Sequence, residues 1–496
     1  MILVLGAGPA GLTAAWELQR HGRTCTVLER EAAVGGLSRT VEHGGFLFDI
    51  GGHRFYTRSR LVETIWKDLL GDDLLTRNRI SRIYYRGRFF QYPLDPRDVI
   101  TGLGLTEILR CAASYVWSHV RPCRPEDNFE AWVRNRFGQR LYQIFFRTYT
   151  EKVWGMPCAN ISAEWAAQRI RGLSLRSLVS EALRRNTNGN TAHPNGNSPV
   201  RSLIHSFYYP RRGPGMLWNR MAEQLGENGC RVLTQMPVER IHWEPGRILS
   251  VRAGGQEFKA ESVISTLALR DFVHLLDPAP PEWLRAAAAN LKYRDFLIVT
   301  LMIRGANLFP DNWIYVHAPD VAVGRIQNFN NWSPEMSPDP QITCLGMEYF
   351  CSEGDALWNA SDSELFVRAR RELEHLGLAR GREIVDGAVL RIRKAYPVYD
   401  AGYRKSQQAF RRFLDGIPNL QVAGRNGLHR YNNQDHAMLS GIMAARNLLG
   451  ARYNVWGVNE DGHYLEESAD DDLSSEWIQI SDDQPRVPKM HAAGTS

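Results

Sequence analysis

The sequence has little of what marks a special class of protein. Its 496 residues include only seven cysteines, Cys25, Cys111, Cys123, Cys158, Cys230, Cys344 and Cys351. None stands in a CxxC pair, and no alternation of Cys with His has the spacing of metal ligands. A disulfide-stapled secreted scaffold and a zinc module are thereby excluded, and reduced thiols in a cytoplasmic protein are expected. Long apolar runs are also missing. The most membrane-like stretch, DVITGLGLTEILRCAASYVW, is broken by Glu107 and Arg110, whereas a spanning helix needs about 20 nearly uncharged residues. A buried or peripheral helix is expected there. Charge of one sign is scarce as well: the net +6 suits an anionic small ligand but is no nucleic-acid footprint. The opening MILVLGAGPAG reads as a strand and turn, not a signal peptide. No Ser-His-Asp order, carboxylate pair, metal site or internal repeat announces itself.

The length, with 44% hydrophobic and 23% charged residues, predicts two or three domains of a soluble globular protein. Residues 2–5 (ILVL) read as a buried parallel strand, 10–20 as a helix and 24–28 (TCTVL) as the next strand. This βαβ opening predicts an α/β fold. Residues 61–183 carry a mostly helical pattern rich in aromatics and arginine. NTNGNTAHPNGNSP (186–199) offers no apolar face, and reads as a mobile surface loop that closes over ligand. Strand patterns return over 231–269, 296–350 and 419–425, and the tail 465–496 is acidic, then polar, and expected to be disordered. The domains expected are a discontinuous cofactor domain (1–60, 210–285 and 385–450), a helical substrate domain (61–209) and an antiparallel β substrate domain (286–384).

VLGAGPAG sets Gly6, Gly8 and Gly11 in GxGxxG spacing between a strand and a helix. Such glycines permit a tight turn and let a pyrophosphate rest on the helix N-terminus. Glu29, eighteen residues after Gly11 at the end of the second strand, is placed to accept hydrogen bonds from a ribose. A nicotinamide dinucleotide needs nothing more here. Yet a second glycine pair, Gly35 and Gly36, follows, and then DIGGH with Gly51, Gly52 and His53. Further glycine loops suit FAD, whose isoalloxazine extends beyond the pyrophosphate and needs backbone against it. Near the C-terminus, YNNQDHAMLSGIMAARNLL (431–449) turns from amides and charges straight into an apolar helix. Its N-terminus either faces a ligand or is a capped surface helix start.

This pattern resembles the flavin-binding family of amine oxidases, protoporphyrinogen oxidases and UDP-galactopyranose mutases. The likeness sharpens to the eukaryotic-type mutases in FDIGGHRFY, YTEKVWGMPCANISAEWAAQR, YPRRGPGMLWNRMA and RYNNQDHAMLSGIMAARNLL. The resemblance implies a Rossmann-like FAD domain of the glutathione reductase type, with a helical insertion and an antiparallel-sheet substrate domain. It brings the late helix back to the flavin pyrimidine edge, where its dipole stabilises negative charge. Implied cofactor contacts are Gly6, Gly8, Pro9, Ala10, Gly11, Glu29, Arg30, Gly35, Gly36, Leu37, Gly51, Gly52, His53, Val238, Gly424, Arg425, Asn433, Gln434 and Asp435.

The implied reaction interconverts pyranose and furanose forms of a nucleotide sugar of the UDP-galactose kind, without net redox. Reduced flavin N5 attacks the anomeric carbon, and the sugar ring reopens and recloses. Arg169 and Arg325 would clamp the diphosphate. Tyr396 and Tyr431, with Trp313 and Tyr315, would line the diphosphate and sugar; Tyr92 and Phe145 would meet the base; Thr150 and Trp154 would lie near the sugar. His53 would tune the flavin. Read singly, any arginine suits a surface ion pair, and Trp313, Tyr315 and Tyr396 have core aromatics as their alternative reading. Four departures from the mutase pattern bear on the base and sugar bound. Thr150 replaces an asparagine, Asp95 a glutamine and Trp332 a tyrosine, and the loop after Tyr431 is two residues shorter. NAD(P)H is a candidate reductant without a fingerprint of its own, and an oligomer is compatible with the sequence. Two rivals share the FAD site: a redox flavoenzyme of the amine oxidase, protoporphyrinogen oxidase or desaturase type, and a non-catalytic flavin module.

Overall fold

In the computed structural model the structure describes residues 1–92, 94, 96–170, 206–380 and 383–459, without the side chains of 96, 97 and 167–170. The expected loop 186–199, the tail 465–496, Asp95 and the Arg169 side chain lie outside that description.

A five-stranded all-parallel sheet carries the chain's first βαβ unit. Its order is Leu420–Val422, Ser262–Ser265, Ile2–Leu5, Cys25–Leu28, Arg231–Leu233. Ile2–Leu5 is buried at every position, as a central parallel strand covered on both faces must be. Two helices cross on this sheet, Pro9–Arg20 and Gln434–Leu448. Small residues let them meet: a Cβ added at Gly441 would stand 2.2 Å from the Ala10 carbonyl oxygen. Arg446 fastens the contact by donating to the fully buried Glu17 at 2.7 Å. The late helix therefore returns to the chain's beginning because Gly441 allows it to.

A four-stranded sheet over Val238–Asp277 adjoins this unit. The third sheet has seven strands in the order Ile384–Pro397, Tyr293–Arg304, Ile342–Cys351, Arg325–Asn328, Trp313–Val316, Ser81–Tyr85, Arg88–Gln91. Its pairs are antiparallel except Trp313–Val316 with Ser81–Tyr85. The α/β expectation holds, while one expected boundary and the helical character of one expected domain are corrected. Residue 385 lies inside a strand of the seven-stranded sheet, so 385–397 does not belong with the cofactor unit. The region 61–209 is not purely helical, because Ser81–Tyr85 and Arg88–Gln91 extend that same sheet. RIYYRGRFF folds as a local hairpin about Arg86 and Gly87, both at positive φ, and only its first strand reaches a distant partner, Trp313–Val316.

All seven cysteines are free thiols. No described helix is long and apolar enough to cross a membrane, and the described residues hold no group of His, Cys, Asp and Glu able to hold a metal.

Candidate active site

A cavity of about 470 Å³ runs from the first glycine loop to the seven-stranded sheet. At one end the strand Ile2–Leu5 delivers Gly6 at φ +102°, a conformation that disfavours side chains. Gly11 has no room for even a methyl group, since a Cβ would lie 1.9 Å from the Gly6 carbonyl oxygen. Gly36 faces Gly8, and a Cβ on Gly36 would come within 3.1 Å of the Gly8 Cα. Two glycine loops thus meet backbone to backbone beside the N-terminus of Pro9–Arg20. Glu29 closes this end, its carboxylate accepting from the amides of Ala7 at 2.7 Å and Glu31 at 2.9 Å. Pro9, Ala10, Arg30, Leu37 and Val238 line the same stretch. Gly11 and Gly35 shape it from behind: Gly35 adopts φ +99° against Trp218.

In the middle of the cavity lie Gly51, Gly52 and His53. The His53 ring is held by the Ile50 carbonyl oxygen at 2.7 Å. Burial lowers its pKa to about 4, helped by the charges of Arg425 and Arg325, so it is neutral at physiological pH. Across from it, Gly424, Arg425, Asn433, Gln434 and Asp435 line the wall, and Gln434 donates to the His53 carbonyl oxygen at 3.4 Å. The amide atoms Nδ2 and Oδ1 of Asn432 and Oε1 of Gln434 are buried without a hydrogen-bond partner among the described residues, and beside them Asp435 Oδ1 lies 3.3 Å from His436 Nδ1. Orphaned polar atoms are costly and rare in proteins. Bunched at a helix N-terminus on a cavity wall, they match the donor and acceptor edge of a flavin pyrimidine. Glycine cradle, ribose acid and orphaned edge together fit FAD.

At the far end Arg325 enters from the seven-stranded sheet. Its Nε and Nη2 donate to Glu348 at 2.8 and 2.5 Å, and Gln327 donates to the other carboxylate oxygen at 2.9 Å. Burial works against the arginine's charge, but the fully buried Glu348 raises its pKa well above the ordinary value. Tyr396 and Tyr431 stack with centroids 5.7 Å apart. The Arg425 guanidinium sits 4.7 Å from one ring centroid and 5.6 Å from the other, held by the carbonyls of Asn432 and Ala395. Burial pushes the Tyr396 hydroxyl up to about 12, so at neutral pH it stays protonated and can donate a hydrogen bond. Trp313 and Tyr315 line this end with Trp332, whose ring lies 5.4 Å from that of Trp313.

Not every expected residue reaches the cavity. Phe145 is corrected to a core residue: the π-helical turn Tyr142–Arg147 aims it at Phe90, with ring centroids 5.3 Å apart. Trp154 is likewise in the core, edge-on to Trp165 at 4.7 Å, with its ring 6.4 Å from that of Tyr396 on the cavity wall. Thr150 is buried on the same helix. Tyr92 stands one ring back, 5.0 Å from Tyr315. Arg169 belongs to the helix Ala163–Ile170, with its side chain outside the description. Sequence reasoning missed Glu348 and Gln327. A lone acid within the apolar TCLGMEYF was the available signal, because a carboxylate inside a buried strand requires a partner.

A pH response follows from three buried imidazoles. Burial lowers His53 and His429 to about 4 and His317 to about 3, from 6.5. Between pH about 6.5 and 4 the unfolded chain therefore binds protons that the folded chain refuses, so stability falls as pH drops through that window. Asp49, pushed up to about 7 by burial, runs the other way but is one group against three. The melting temperature is expected to fall from pH 7 to 5, and His317→Gln to reduce that fall; a flat profile would contradict the assignment.

A family model described as "Flavin containing amine oxidoreductase" matches residues 9–449. The crystal structure of a reduced UDP-galactopyranose mutase superposes with a TM-score of 0.79 at 22% identity, covering 93% of this chain and 97% of that one. A phytoene dehydrogenase of Streptomyces griseus is 26% identical over 299 residues, 56% of each chain. The mitochondrial protoporphyrinogen oxidase of Nicotiana tabacum is 40% identical over 199 residues, 37% of this chain and 38% of that one. The chain spans about half the length of the first curated relatives it matches.

Proposed function

The chain belongs to the flavin containing amine oxidoreductase family, and from that premise we propose that it is a nucleotide-sugar mutase acting with reduced FAD. It would interconvert pyranose and furanose forms of a nucleoside-diphosphate sugar of the UDP-galactose type. The observation that carries this reading is the far end of the cavity, where Arg325, Arg425 and the stacked Tyr396–Tyr431 pair converge. Guanidinium groups and tyrosine hydroxyls suit a diphosphate and a sugar; an apolar isoprenoid needs neither.

When bound and reduced, the flavin supplies the electron-rich centre toward the anomeric carbon. The chain's own residues do the rest. The loop at Gly6, Gly8 and Gly11 and the N-terminus of Pro9–Arg20 hold the cofactor pyrophosphate, Glu29 its ribose, and Asn432–Asp435 the pyrimidine edge. Gly51 and Gly52 would offer bare backbone to the ring, and Gln327 leaves no space for a methyl on Gly52. Arg325 and Arg425 neutralise the departing diphosphate, the interaction on which leaving-group stabilisation depends. Arg169, on the helix Ala163–Ile170, is proposed as a further clamp. Neutral His53 keeps a fixed orientation without adding charge. NAD(P)H is proposed as an outside source of electrons.

A second reading is favoured by the two sequence relatives, whose names are those of a dehydrogenase and an oxidase. A redox enzyme on an apolar substrate would reduce its oxidised flavin under anaerobic mixing. The proposed mutase would instead convert one or more of a panel of nucleotide sugars once pre-reduced with dithionite. Absence of any sugar product, with flavin bleaching by an apolar substrate, would favour the second reading.

A further inference from the structure

The helix Leu105–Val120 sits on the protein the wrong way round. Leu105, Leu109, Val116, Trp117 and Val120 share one face at helical spacing, and each is 60–74% exposed. Ile100, on the preceding helix Pro96–Leu103, is exposed as well. The opposite face is the one that packs. Cys111 and Ser118 are buried, Glu107 pairs with Arg140, and the Ser114 hydroxyl accepts from the Arg140 amide at 3.0 Å. Close approach is possible because Gly138 of the next helix lies against this backbone; a Cβ there would stand 2.8 Å from the Tyr115 nitrogen. Small and polar residues thus seat the helix, and its apolar side is left in water. Contiguous exposed apolar surface of this kind marks an interaction site.

Cations border the face. The Arg110 side chain is 70% exposed. The Arg121 guanidinium lies 5.2 Å over the Trp117 ring, and Arg88 reaches the Gly102 carbonyl oxygen at 3.0 Å, beside Ile100. The helix's single acid, Glu107, is turned inward and already engaged with Arg140 and Arg110. An apolar face with a tryptophan, bordered by arginines, matches the charge and polarity of an anionic bilayer surface. At sixteen residues, roughly 24 Å long, the helix suits lying in the headgroup plane. A two-fold contact through the same face would bring two sets of Arg110 and Arg121 into one interface with no free acid on the helix to neutralise them. We propose that the Leu105–Val120 face docks this protein on anionic phospholipid membranes.

The test is co-sedimentation of the full-length, flavin-loaded protein with phosphatidylcholine vesicles with and without phosphatidylglycerol. Wild type is expected to bind the anionic vesicles about tenfold better than neutral ones and to lose that advantage in high salt, and Leu109→Glu/Val116→Glu to lose about tenfold in binding with its flavin retained. A second measurement needs no charged substitution. Brominated phosphatidylglycerol vesicles are expected to quench part of the wild-type tryptophan emission, and Trp117→Phe to lose that part. Equal binding to both vesicle types, unchanged binding by the double variant, or identical quenching of Trp117→Phe would overturn the proposal. So would a wild-type dimer that the double variant dissociates, which would assign the face to a second copy of the chain.

Discussion

Arg325→Ala is expected to lower kcat/KM for the nucleotide sugar by about 10²–10³-fold, the loss of roughly 3–4 kcal/mol typical of removing one side of a buried charged contact. The same substitution strands Glu348, which is fully buried and whose acceptor oxygen takes both guanidinium contacts. An unpaired buried carboxylate costs about 3–5 kcal/mol of stability, so the variant is also expected to melt well below the parent. The two effects separate in Arg325→Ala/Glu348→Gln. A neutral amide beside Gln327 removes the stranded charge, so the melting temperature should largely recover while turnover stays low. If activity recovered together with stability, Arg325 would be only the partner of Glu348 and the diphosphate assignment would fail.

Gly11→Ala is expected to abolish flavin retention. The clash at 1.9 Å is with a backbone oxygen of Gly6, which cannot swing aside as a long side chain can. Relief requires the glycine turn to move off the N-terminus of Pro9–Arg20, and overpacking of this sort costs about 1–3 kcal/mol or more. Gly8→Ala is the control. Its nearest neighbour, the Gly36 Cα, would be 3.8 Å away, so the fold should tolerate it while the methyl enters the cofactor cradle. The ratio of flavin to protein absorbance after purification is expected to be near zero for Gly11→Ala and reduced for Gly8→Ala. A fully yellow Gly11→Ala protein would contradict the placement of the turn.

Local patterns made the cofactor end of the cavity legible. GxGxxG, Glu29 and GGH state their own geometry, because each glycine answers to a backbone constraint within a few residues of itself. The return of the late helix was legible through resemblance and has its physical reason in Gly441 against Ala10. The substrate end was harder to read. Arg325 reaches the cavity on a strand whose partner Glu348 lies 23 residues on, and no local signal joins the two. Phe145 and Trp154 carry the same aromatic character as Trp313 and Tyr315. Only tertiary packing sorts them: a π-helical turn sends Phe145 into the core, whereas Trp313 and Tyr315, two apart on one strand, share the face that lines the cavity. The mixed character of 61–209 had a local signal, the two-residue turn Arg86-Gly87 that joins Ser81–Tyr85 to Arg88–Gln91, whereas the place of that hairpin in the seven-stranded sheet depends on Trp313–Val316, more than two hundred residues away.

The most direct measurement is turnover of UDP-galactopyranose by the same flavin-loaded preparation, anaerobically, before and after stoichiometric reduction. The account predicts that the furanose isomer forms only with reduced flavin, and that the flavin is still reduced when equilibrium is reached. Equal turnover by the oxidised protein, or consumption of the flavin's electrons in step with product, would contradict it.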